Sequence, residues 1–278
     1  MRSTVVIFVL AFAALGLLLG FSESFDTRPE NAIDSVVADV ESRIDLYVAA
    51  MQATSELPQV KSTDYTDLIS VEQMGIPEDA DDEKREVARQ LLSDHAEFAS
   101  IFFLTPSGDI YIGEPFVQQE QLPRLNYADR DWYKGASTTN DAYVSSVFMS
   151  AAIHVPAIAI AVPVYEGTEV RIAGYWVAIV DVSDIDSSLR QISGGGSRIL
   201  LVDHNGTQIA DTGKDAQGSE LKSFAKLQSV KKALSGQAGT IVEQVDGTQM
   251  TASYAPVKAH PHTWAIVFMQ PAGDTAPQ

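Results

Sequence analysis

Cysteine is absent from this chain of 278 residues. Its absence excludes disulfide bonds, thiolate metal ligands, cysteine nucleophiles and a lipid attached through an N-terminal cysteine. Positive charge is also scarce, because 19 lysines and arginines face 37 aspartates and glutamates and leave a net charge of -18. A field of this sign repels phosphate backbones and anionic membrane surfaces, so the composition argues against nucleic-acid binding.

Recognisable catalytic signatures are missing as well. The sequence has no Gly-x-Ser-x-Gly elbow and no phosphate-binding loop. The glycine-rich segment at 193–197 lacks the Gly-Lys-Ser/Thr ending of a phosphate loop and is interpreted as a linker. His260 and His262 are the only closely spaced histidines, and the proline between them favours a loop over a metal site. We therefore expect no enzymatic activity, no cofactor and no bound metal.

Long apolar runs are limited to one, Val5 to Phe21, which follows Arg2 and precedes several acidic residues. Its length is at the short end for a membrane span, and the charge asymmetry places the N-terminus inside the cell. The alternative is a secretory signal cleaved near Ser22 to Ser24, which offers a small-x-small pattern. We predict a transmembrane anchor or signal segment over residues 1–24. Either way the rest of the chain lies outside the cytoplasm, held by a single span at the cell membrane or secreted after cleavage.

A long helix is predicted directly after this segment, over residues 25–56, and is interpreted as a stalk. Further helices are predicted over residues 83–98, 184–192 and 219–234. The stalk carries one apolar stripe with spacings of three and four residues, which either pairs with a second copy in a homodimer or is buried by the rest of the chain. The stripe consists of Ile33, Val36, Val37, Val40, Ile44, Tyr47, Val48 and Met51.

The remainder of the chain repeats itself weakly. "FLTPSGDIYI" (103–112) and "LVDHNGTQIA" (201–210) each predict two short strands joined by a turn that contains Ser-Gly or Asn-Gly. Each pair is succeeded by two further elements, "VPV" (162–164) and "WVAIV" (176–180) in the first copy, and "APV" (255–257) and "WAIVF" (264–268) in the second. Two tandem α+β modules, each an antiparallel sheet flanked by helices, are the economical interpretation.

This order of parts resembles the double Cache sensor domains, the extracytoplasmic ligand-binding regions of chemoreceptors, histidine kinases and related membrane proteins. The resemblance covers residues 24–271 and is carried by "FLTPSGDIY", "ADRDWYKGA", "AYVSS" and "IAVPV" in their order along the chain. It implies a long stalk helix with two PAS-like modules, of which the membrane-distal one holds the ligand. The predicted domains are the segment at 1–24, the stalk at 25–56, the distal module at 57–193, the proximal module at 194–271 and a tail at 272–278.

The resemblance also implies which residues contact the ligand. Family members that bind amino acids contain a pattern similar to Arg-x-Trp-Tyr, followed by a second tyrosine and by an aspartate at the end of a later strand. The matching residues here are Arg130, Trp132, Tyr133, Tyr143 and Asp181.

One departure stands out: the family pattern begins with a tyrosine five residues before the arginine, where this chain has Leu125, and Tyr127 is offset by two positions. A guanidinium matches a carboxylate with paired donors, so Arg130 is a plausible clamp for the acid end of a ligand. Asp181, by the resemblance, faces a ligand ammonium, and the aromatic rings supply apolar walls. The sequence therefore predicts a sensor that binds an amino acid or a related carboxylate.

Several alternatives stay open at this point. If Arg130 turns away, the aromatic residues suit an amine or a quaternary ammonium ligand. Asp129 and Asp131 flank Arg130, so the three residues alternatively form a charge cluster on the surface. Trp132 is alternatively part of the core, and Asp181 caps a turn or a helix. A structural module whose pocket is filled by its own side chains is the contrasting class.

Signalling requires further parts. The sequence contains no kinase, cyclase or methyl-accepting region. We expect either a separate signalling partner or a longer parent chain.

Overall fold

The long helix α1 runs from Pro29 to Ser55 and confirms the predicted stalk. A computed structural model describes residues 29–167, 171–193, 197–213 and 220–273. The predicted membrane segment at 1–24 lies outside this range. Among the described residues, no helix combines the length and the apolar character that a bilayer span requires.

The apolar stripe of α1 is buried inside the chain. Ile44 and Met51 are completely buried, and α1 contacts strands of both β-sheets of the molecule. At the end of the helix, the indole nitrogen of Trp176 donates a hydrogen bond to the hydroxyl of Thr54 over 3.1 Å. Of the two uses predicted for the stripe, the structure shows internal burial, in which Val37 is only partly buried.

The first sheet has six antiparallel strands. Its main path runs in the order β2-β1-β6-β5-β3, and β4 pairs with β5 beside that path. The strands are β1 (Phe98–Leu104), β2 (Ile110–Glu114), β3 (Tyr143–Val144), β4 (Phe148–Met149), β5 (Pro156–Glu166) and β6 (Arg171–Asp181).

The second sheet has five antiparallel strands in the order β8-β7-β11-β10-β9. Each position in this order matches a position in the first sheet, so the tandem α+β modules predicted from the repeated motifs are confirmed. The strands are β7 (Arg198–Val202), β8 (Gln208–Asp211), β9 (Gly239–Val245), β10 (Thr248–Ala259) and β11 (His262–Pro271).

Shorter helices cover the sheets. Two of them differ from the sequence prediction. The helix predicted over 83–98 ends at Asp94, because Phe98 instead begins β1 and pairs with Val180 of β6. The helix predicted over 219–234 begins only at Gln228. The helices are α2 (Pro58–Lys61), α3 (Asp82–Asp94), α4 (Phe116–Glu120), α5 (Asp131–Thr139), α6 (Ser183–Ile192) and α7 (Gln228–Leu234), with a 3-10 turn at Thr66–Leu68.

Each sheet buries both faces. One face of the first sheet and one face of the second pack with α1 into a single core that includes the indoles of Trp176 and Trp264. The opposite face of the first sheet packs against α5 through Trp132 and Ala136. The opposite face of the second sheet packs against α7. Helices α5 and α7 therefore occupy matching places, one on each sheet.

The turn between β1 and β2 fixes the chain that leads into α5. Gly108 has φ 87°, and a Cβ on it would lie 2.7 Å from the Cβ of Ala128, so both the conformation and the space require glycine. The backbone N–H of Tyr127 donates to the carbonyl of Gly108 over 2.8 Å. The N–H of Ile110 donates to the carbonyl of Leu125 over 3.0 Å.

The turn between β7 and β8 repeats this arrangement. Gly206 has φ 76°, and a Cβ on it would lie 2.7 Å from the Cα of Ala225. The N–H of Phe224 donates to the carbonyl of Gly206 over 2.7 Å, and the N–H of Gln208 donates to the carbonyl of Lys222 over 2.8 Å. These bonds hold residues 222–225 against the turn, which is why α7 starts later than its sequence pattern predicts.

Candidate functional site

A cavity lies between the first sheet and the start of α5. It has an empty volume of about 370 Å³, part of which opens to solvent. Its lining residues are Phe102, Ile110, Leu122, Tyr127, Arg130, Trp132, Phe148, Ser150, Ala151, Ala152 and Ile179.

Arg130 is the charged residue of this lining. It immediately precedes the first residue of α5 in an extended conformation, with φ -71° and ψ 148°. Its guanidinium carbon lies 5.8 Å from the ring centre of Tyr127 and 5.9 Å from that of Phe148. The guanidinium therefore stands among aromatic rings at the cavity wall.

No carboxylate pairs with Arg130 among the described residues, which sets it apart from the other arginines there. An acidic protein offers many carboxylates, so a half-buried guanidinium without one is a group that an anionic ligand can satisfy. The arginines that do pair with carboxylates are Arg43, Arg85, Arg89, Arg124, Arg171, Arg190 and Arg198.

The two aspartates beside Arg130 are engaged elsewhere. Asp129 accepts a hydrogen bond from the guanidinium of Arg124 over 2.6 Å. Asp131 accepts from the hydroxyl of Tyr143 over 2.9 Å and from the backbone N–H of Ser146 over 2.9 Å. Neither aspartate is hydrogen-bonded to Arg130, but the hydrogen bond from Arg124 and the charge of Arg130 both lower the pKa of Asp129.

The bonds to Asp131 also keep it ionised. Burial alone would raise the pKa of this carboxyl, but the hydrogen bonds from Ser146 and Tyr143 outweigh burial and hold the pKa below its usual range. Its oxygens already have partners in the chain. Asp131 is thus a fixed support at the start of α5.

Trp132 lines the cavity and is only 5% exposed. Its ring stacks on that of Tyr127 with centres 6.4 Å apart and planes 21° apart. The indole therefore serves the hydrophobic core and the cavity wall at once.

Tyr133 and Tyr143 are not among the residues that line the cavity. Tyr133 donates its hydroxyl to the carbonyl of Pro106 over 2.6 Å and places its ring against Tyr175. The ring of Tyr143 lies against Gly135 of α5, where an added Cβ would be 2.2 Å from it. Burial and the Asp131 carboxylate raise the pKa of Tyr143. In this structure both tyrosines pack around α5, and their contact with a ligand stays a prediction.

Asp181 ends β6 and is not among the residues that line the cavity. Side chains alternate along a strand, so Asp181 points to the same face as Ile179, which lines the cavity. Its carboxylate accepts a hydrogen bond from the N–H of Ser183 over 2.8 Å. The capping alternative raised by the sequence is therefore present, and the proposed contact with a ligand ammonium stays a prediction.

Most of the cavity lining was not foreseen from the sequence. Phe102, Ile110 and Ile179 read as ordinary core positions of strands, because an apolar cavity wall and an apolar core have the same pattern. The segment from Phe148 to Ala152 carries no motif at all. Tyr127 is the lining residue that the sequence could have indicated, because it lies two positions from the tyrosine of the family pattern.

The two modules meet beside Tyr143. The ring of His262 lies edge-on to Tyr143, with centres 5.0 Å apart, and stacks on His204 with centres 3.8 Å apart. Burial and the neighbouring His204 lower the pKa of His262. Asp203 accepts a hydrogen bond from the N–H of Val147 over 2.8 Å. The described residues contain no cluster of histidine and acidic side chains that could hold a metal ion.

Comparisons with known proteins agree with this geometry. A family model described as a Cache domain matches residues 22–276. No curated protein matches the chain.

Three solved structures share the fold at low identity. The ligand-binding domain of the Pseudomonas aeruginosa amino acid chemoreceptor PctB, in complex with L-Arg, is 16% identical with a TM-score of 0.63, covering 88% of this chain and 87% of that one. That of the Pseudomonas fluorescens chemoreceptor CtaA, in complex with L-alanine, is 16% identical with a TM-score of 0.56, covering 88% and 95%. That of the Campylobacter jejuni chemoreceptor Tlp3, in complex with 4-methylisoleucine, is 12% identical with a TM-score of 0.61, covering 89% and 92%.

Proposed function

The chain belongs to the Cache domain family, a family of sensor and ligand-binding domains rather than enzymes, and from this premise we propose that it is an extracytoplasmic sensor of a small carboxylate metabolite. The ligand class that we propose first is an amino acid, bound in the cavity beside α5. The observation that carries the proposal is the Arg130 guanidinium, which lines the cavity without a carboxylate partner among the described residues.

The charge of the lining supports an anionic group on the ligand. Arg130 can present two parallel N–H donors to a carboxylate, and the apolar surroundings strengthen that interaction relative to water. The same cation repels an amine or a quaternary ammonium ion that has no acid group.

The other residues predicted to contact the ligand have separate proposed roles. Trp132 supplies the wall next to the Arg130 site. We propose that Tyr133 and Tyr143 hold α5 in position from outside the cavity. We propose that Asp181, at the end of β6, contacts the ammonium group of the ligand. The fold neighbours were solved with amino acids bound, which supports this class of ligand.

Location and partners belong to the same proposal. Residues 1–24 anchor the protein in the cell membrane or direct its secretion, and the globular part lies outside the cytoplasm, with the module at 57–193 distal and that at 194–271 proximal. A separate protein, or a longer parent chain, passes the signal on. Because the α1 stripe is buried, any homodimer uses another surface.

Calorimetric titration of the purified full chain against amino acids, amines and organic acids tests the proposal. We expect a carboxylate-bearing compound to bind and Arg130→Ala to remove the binding. Arg171→Ala is the control, because Arg171 is an exposed arginine that pairs with Glu166 outside the cavity lining. A folded protein that binds no member of the panel would contradict the ligand class, and binding unchanged in Arg130→Ala would contradict the clamp.

A further inference from the structure

The outer edge of β9 is an open edge of the second sheet. β9 is the last strand in the order of that sheet and pairs with β10 from Gly239 to Val245 without a bulge. Among the described residues, no group is hydrogen-bonded to the backbone of β9 on its other edge. Three edge residues, Thr240, Val242 and Gln244, are exposed, and Val242 is 59% exposed.

The hairpin turn determines which backbone groups face this edge. Val245 pairs with Thr248 across a turn of two residues, Asp246 with φ 50° and Gly247 with φ 82°. In a two-residue hairpin the flanking pair exchanges both of its hydrogen bonds, and the direction of bonding then alternates along the strand. The N–H and C=O groups of the three edge residues therefore point away from β10.

The other sheet edges are covered. At β2 the carbonyl of Tyr111 accepts a hydrogen bond from the N–H of Ile76 over 2.9 Å, and at β8 the N–H of Gln208 donates to the carbonyl of Lys222 over 2.8 Å. The outer edge of β5 is covered by β3 and β4. Open edges pair readily with other chains, and proteins guard them with proline, lysine or bulges. β9 has none of the three, so its edge is available for pairing.

The single charge of β9 does not guard the edge. The carboxylate of Glu243 accepts hydrogen bonds from the N–H of Gln228 over 2.8 Å and from the hydroxyl of Ser229, both at the start of α7. The edge residues themselves are uncharged. Unpaired backbone groups of an extended strand are matched by another extended strand, which satisfies them with main-chain hydrogen bonds.

The direction of α1 disfavours a second copy of this chain as that strand. Two copies that pair through the same antiparallel strand are related by a twofold axis perpendicular to the sheet. Because α1 packs along a face of this sheet, the axis reverses its direction and turns the two N-terminal ends to opposite sides. Only residues 25–28 separate α1 from the proposed membrane segment, so one membrane cannot hold both copies in this pairing.

We propose that the outer edge of β9 docks an extended segment of a separate partner protein, which adds to the second sheet as a further strand. The net charge of -18 favours a segment with basic residues at its ends, because opposite charges steer association. The proposal rests on the proposed function in one respect, namely that a separate protein passes the signal on. It involves no residue of the ligand cavity.

A synthetic peptide tests this surface on the full chain. The probe is Lys-Lys-Thr-Val-Thr-Val-Thr-Val-Lys-Lys with a fluorescent label, and its binding is measured by anisotropy. The control peptide has the same side chains and charge but is N-methylated at every threonine and valine, which removes the N–H groups that a strand donates. We expect the control to bind at least about tenfold more weakly. Equal binding of the two peptides would overturn the proposal.

Hydrogen exchange resolved to single amides locates the binding. In the free chain we expect the outward amides of Val242 and Gln244 to exchange rapidly and the inward amides of Ile241 and Glu243 to be protected. The peptide should slow exchange of the outward amides by at least about tenfold. Outward amides already protected in dilute free chain would show that the chain covers its own edge. Protection that appears without peptide as the protein concentration rises would replace the partner by a second copy.

The variant Val242→Pro removes one outward N–H and breaks no hydrogen bond to β10. We expect at least about tenfold weaker peptide binding, whereas the control Val242→Thr keeps the N–H and binds the peptide as the wild type does. Peptide binding unchanged in Val242→Pro, with a wild-type melting temperature, would contradict the proposal. If Val242→Pro does not fold, the N-methylated peptide applies the same test to the unaltered chain.

Calorimetric titration of small ligands separates this proposal from the proposed ligand class. We expect Val242→Pro to bind the small ligand as the wild type does, because Val242 lies in the second sheet and outside the cavity lining. If the peptide binds as described and no amino acid, amine or organic acid does, the ligand class is wrong and the docking surface stands. If a carboxylate binds and the peptide does not, the docking surface is wrong and the ligand class stands.

Discussion

The same backbone corner occurs twice in this molecule, once in each sheet, with different side chains on it. In the first sheet the N–H of Arg130 donates to the carbonyl of Tyr127 over 3.0 Å, and in the second the N–H of Leu227 donates to the carbonyl of Phe224 over 3.0 Å. Arg130 and Leu227 each stand one residue before a helix, in the same extended conformation. The corner thus carries tyrosine and arginine in one module and phenylalanine and leucine in the other.

This difference distinguishes the side chains that folding of the corner requires from those that the proposed ligand site requires. Phe224 and Leu227 pack against the core of the second sheet, so the corner folds with apolar residues alone. The hydroxyl of Tyr127 and the guanidinium of Arg130 are polar groups that the second corner lacks, and Arg130 has no carboxylate partner among the described residues. The proposed contact with a ligand carboxylate rests on this guanidinium, which folding of the corner does not require.

Converting the first corner to the second is expected to have the largest effect. The double variant Tyr127→Phe/Arg130→Leu removes both polar groups and keeps an apolar corner, so we expect ligand affinity to fall by at least about 100-fold. The melting temperature without ligand should stay the same or rise, because no ion pair is lost. Calorimetry and thermal unfolding measure the two effects. Arg171→Leu is the control, because Arg171 lies outside the cavity lining. Affinity retained by the double variant would contradict the comparison.

The next effect concerns the helix that succeeds each corner. Gly135 in α5 faces the ring of Tyr143, whereas the matching position in α7 is Lys232. In Gly135→Ala the new Cβ would lie 2.2 Å from that ring. Overpacking costs about 1–3 kcal/mol and the better helix propensity of alanine returns up to about 1 kcal/mol, so we expect a net loss of about 1 kcal/mol in the free energy of unfolding.

Urea unfolding measures this loss. Lys232→Ala is the matched control, expected to change the free energy of unfolding by less than about 0.5 kcal/mol because its side chain meets no such clash. A Gly135→Ala variant as stable as the wild type would show that the Tyr143 ring has room to move.

A smaller effect is expected where the two modules meet. His262 faces Tyr143 and Asp131 on one side and His204 and Asp203 on the other. Burial lowers its pKa in the folded state below the ordinary 6.5, so the unfolded chain binds more protons as the pH falls through that value. The stabilisation is therefore present above pH 6.5 and is lost progressively below it.

Urea unfolding at a series of pH values checks this dependence. We expect His262→Gln to flatten the fall in stability between about pH 6.5 and 5. His154→Asn is the control, because His154 lies away from this junction, and asparagine tolerates its φ of 57°. An unaltered pH dependence in His262→Gln would place the responsible group elsewhere.

The smallest effect is expected at the end of β6. Asp181→Asn keeps the acceptor oxygen for the N–H of Ser183 and removes only the charge. We expect about threefold weaker binding of an amino acid ligand and unchanged binding of the corresponding oxo acid, because only the amino acid carries an ammonium group. Equal effects on both ligands, measured by calorimetry, would show that Asp181 does not read the ammonium.

The sequence predicted those parts of the fold that depend on local patterns. The α1 stripe and the two glycine turns at Gly108 and Gly206 follow from short-range periodicity and backbone chemistry, and both appear in the structure. The predicted end of α3 and the predicted start of α7 were wrong. Phe98 belongs to β1 because it pairs with β6, and the segment before α7 is hydrogen-bonded to the Gly206 turn. Neither of these long-range contacts is visible in the local sequence pattern.

The candidate site was predictable only in part for a similar reason. Arg130 and Trp132 were found through a motif. The unpaired state of Arg130 depends instead on Arg124 holding Asp129 and on Ser146 holding Asp131, and these partners are chosen by the tertiary fold. An Asp-Arg-Asp triplet suggests ion pairs between neighbouring residues, so the sequence alone predicts that Arg130 is paired with an aspartate.

The shared helix α1 has a consequence for how the protein unfolds. Its buried stripe contacts strands of both sheets, and its Glu41 accepts a hydrogen bond from the N–H of Lys258 in β10 over 2.8 Å. Neither sheet can separate from the helix without exposing the core that the other sheet shares. Although the two sheets have separate strands, we expect them to melt in a single cooperative transition, in which the stability of one module is felt by the other.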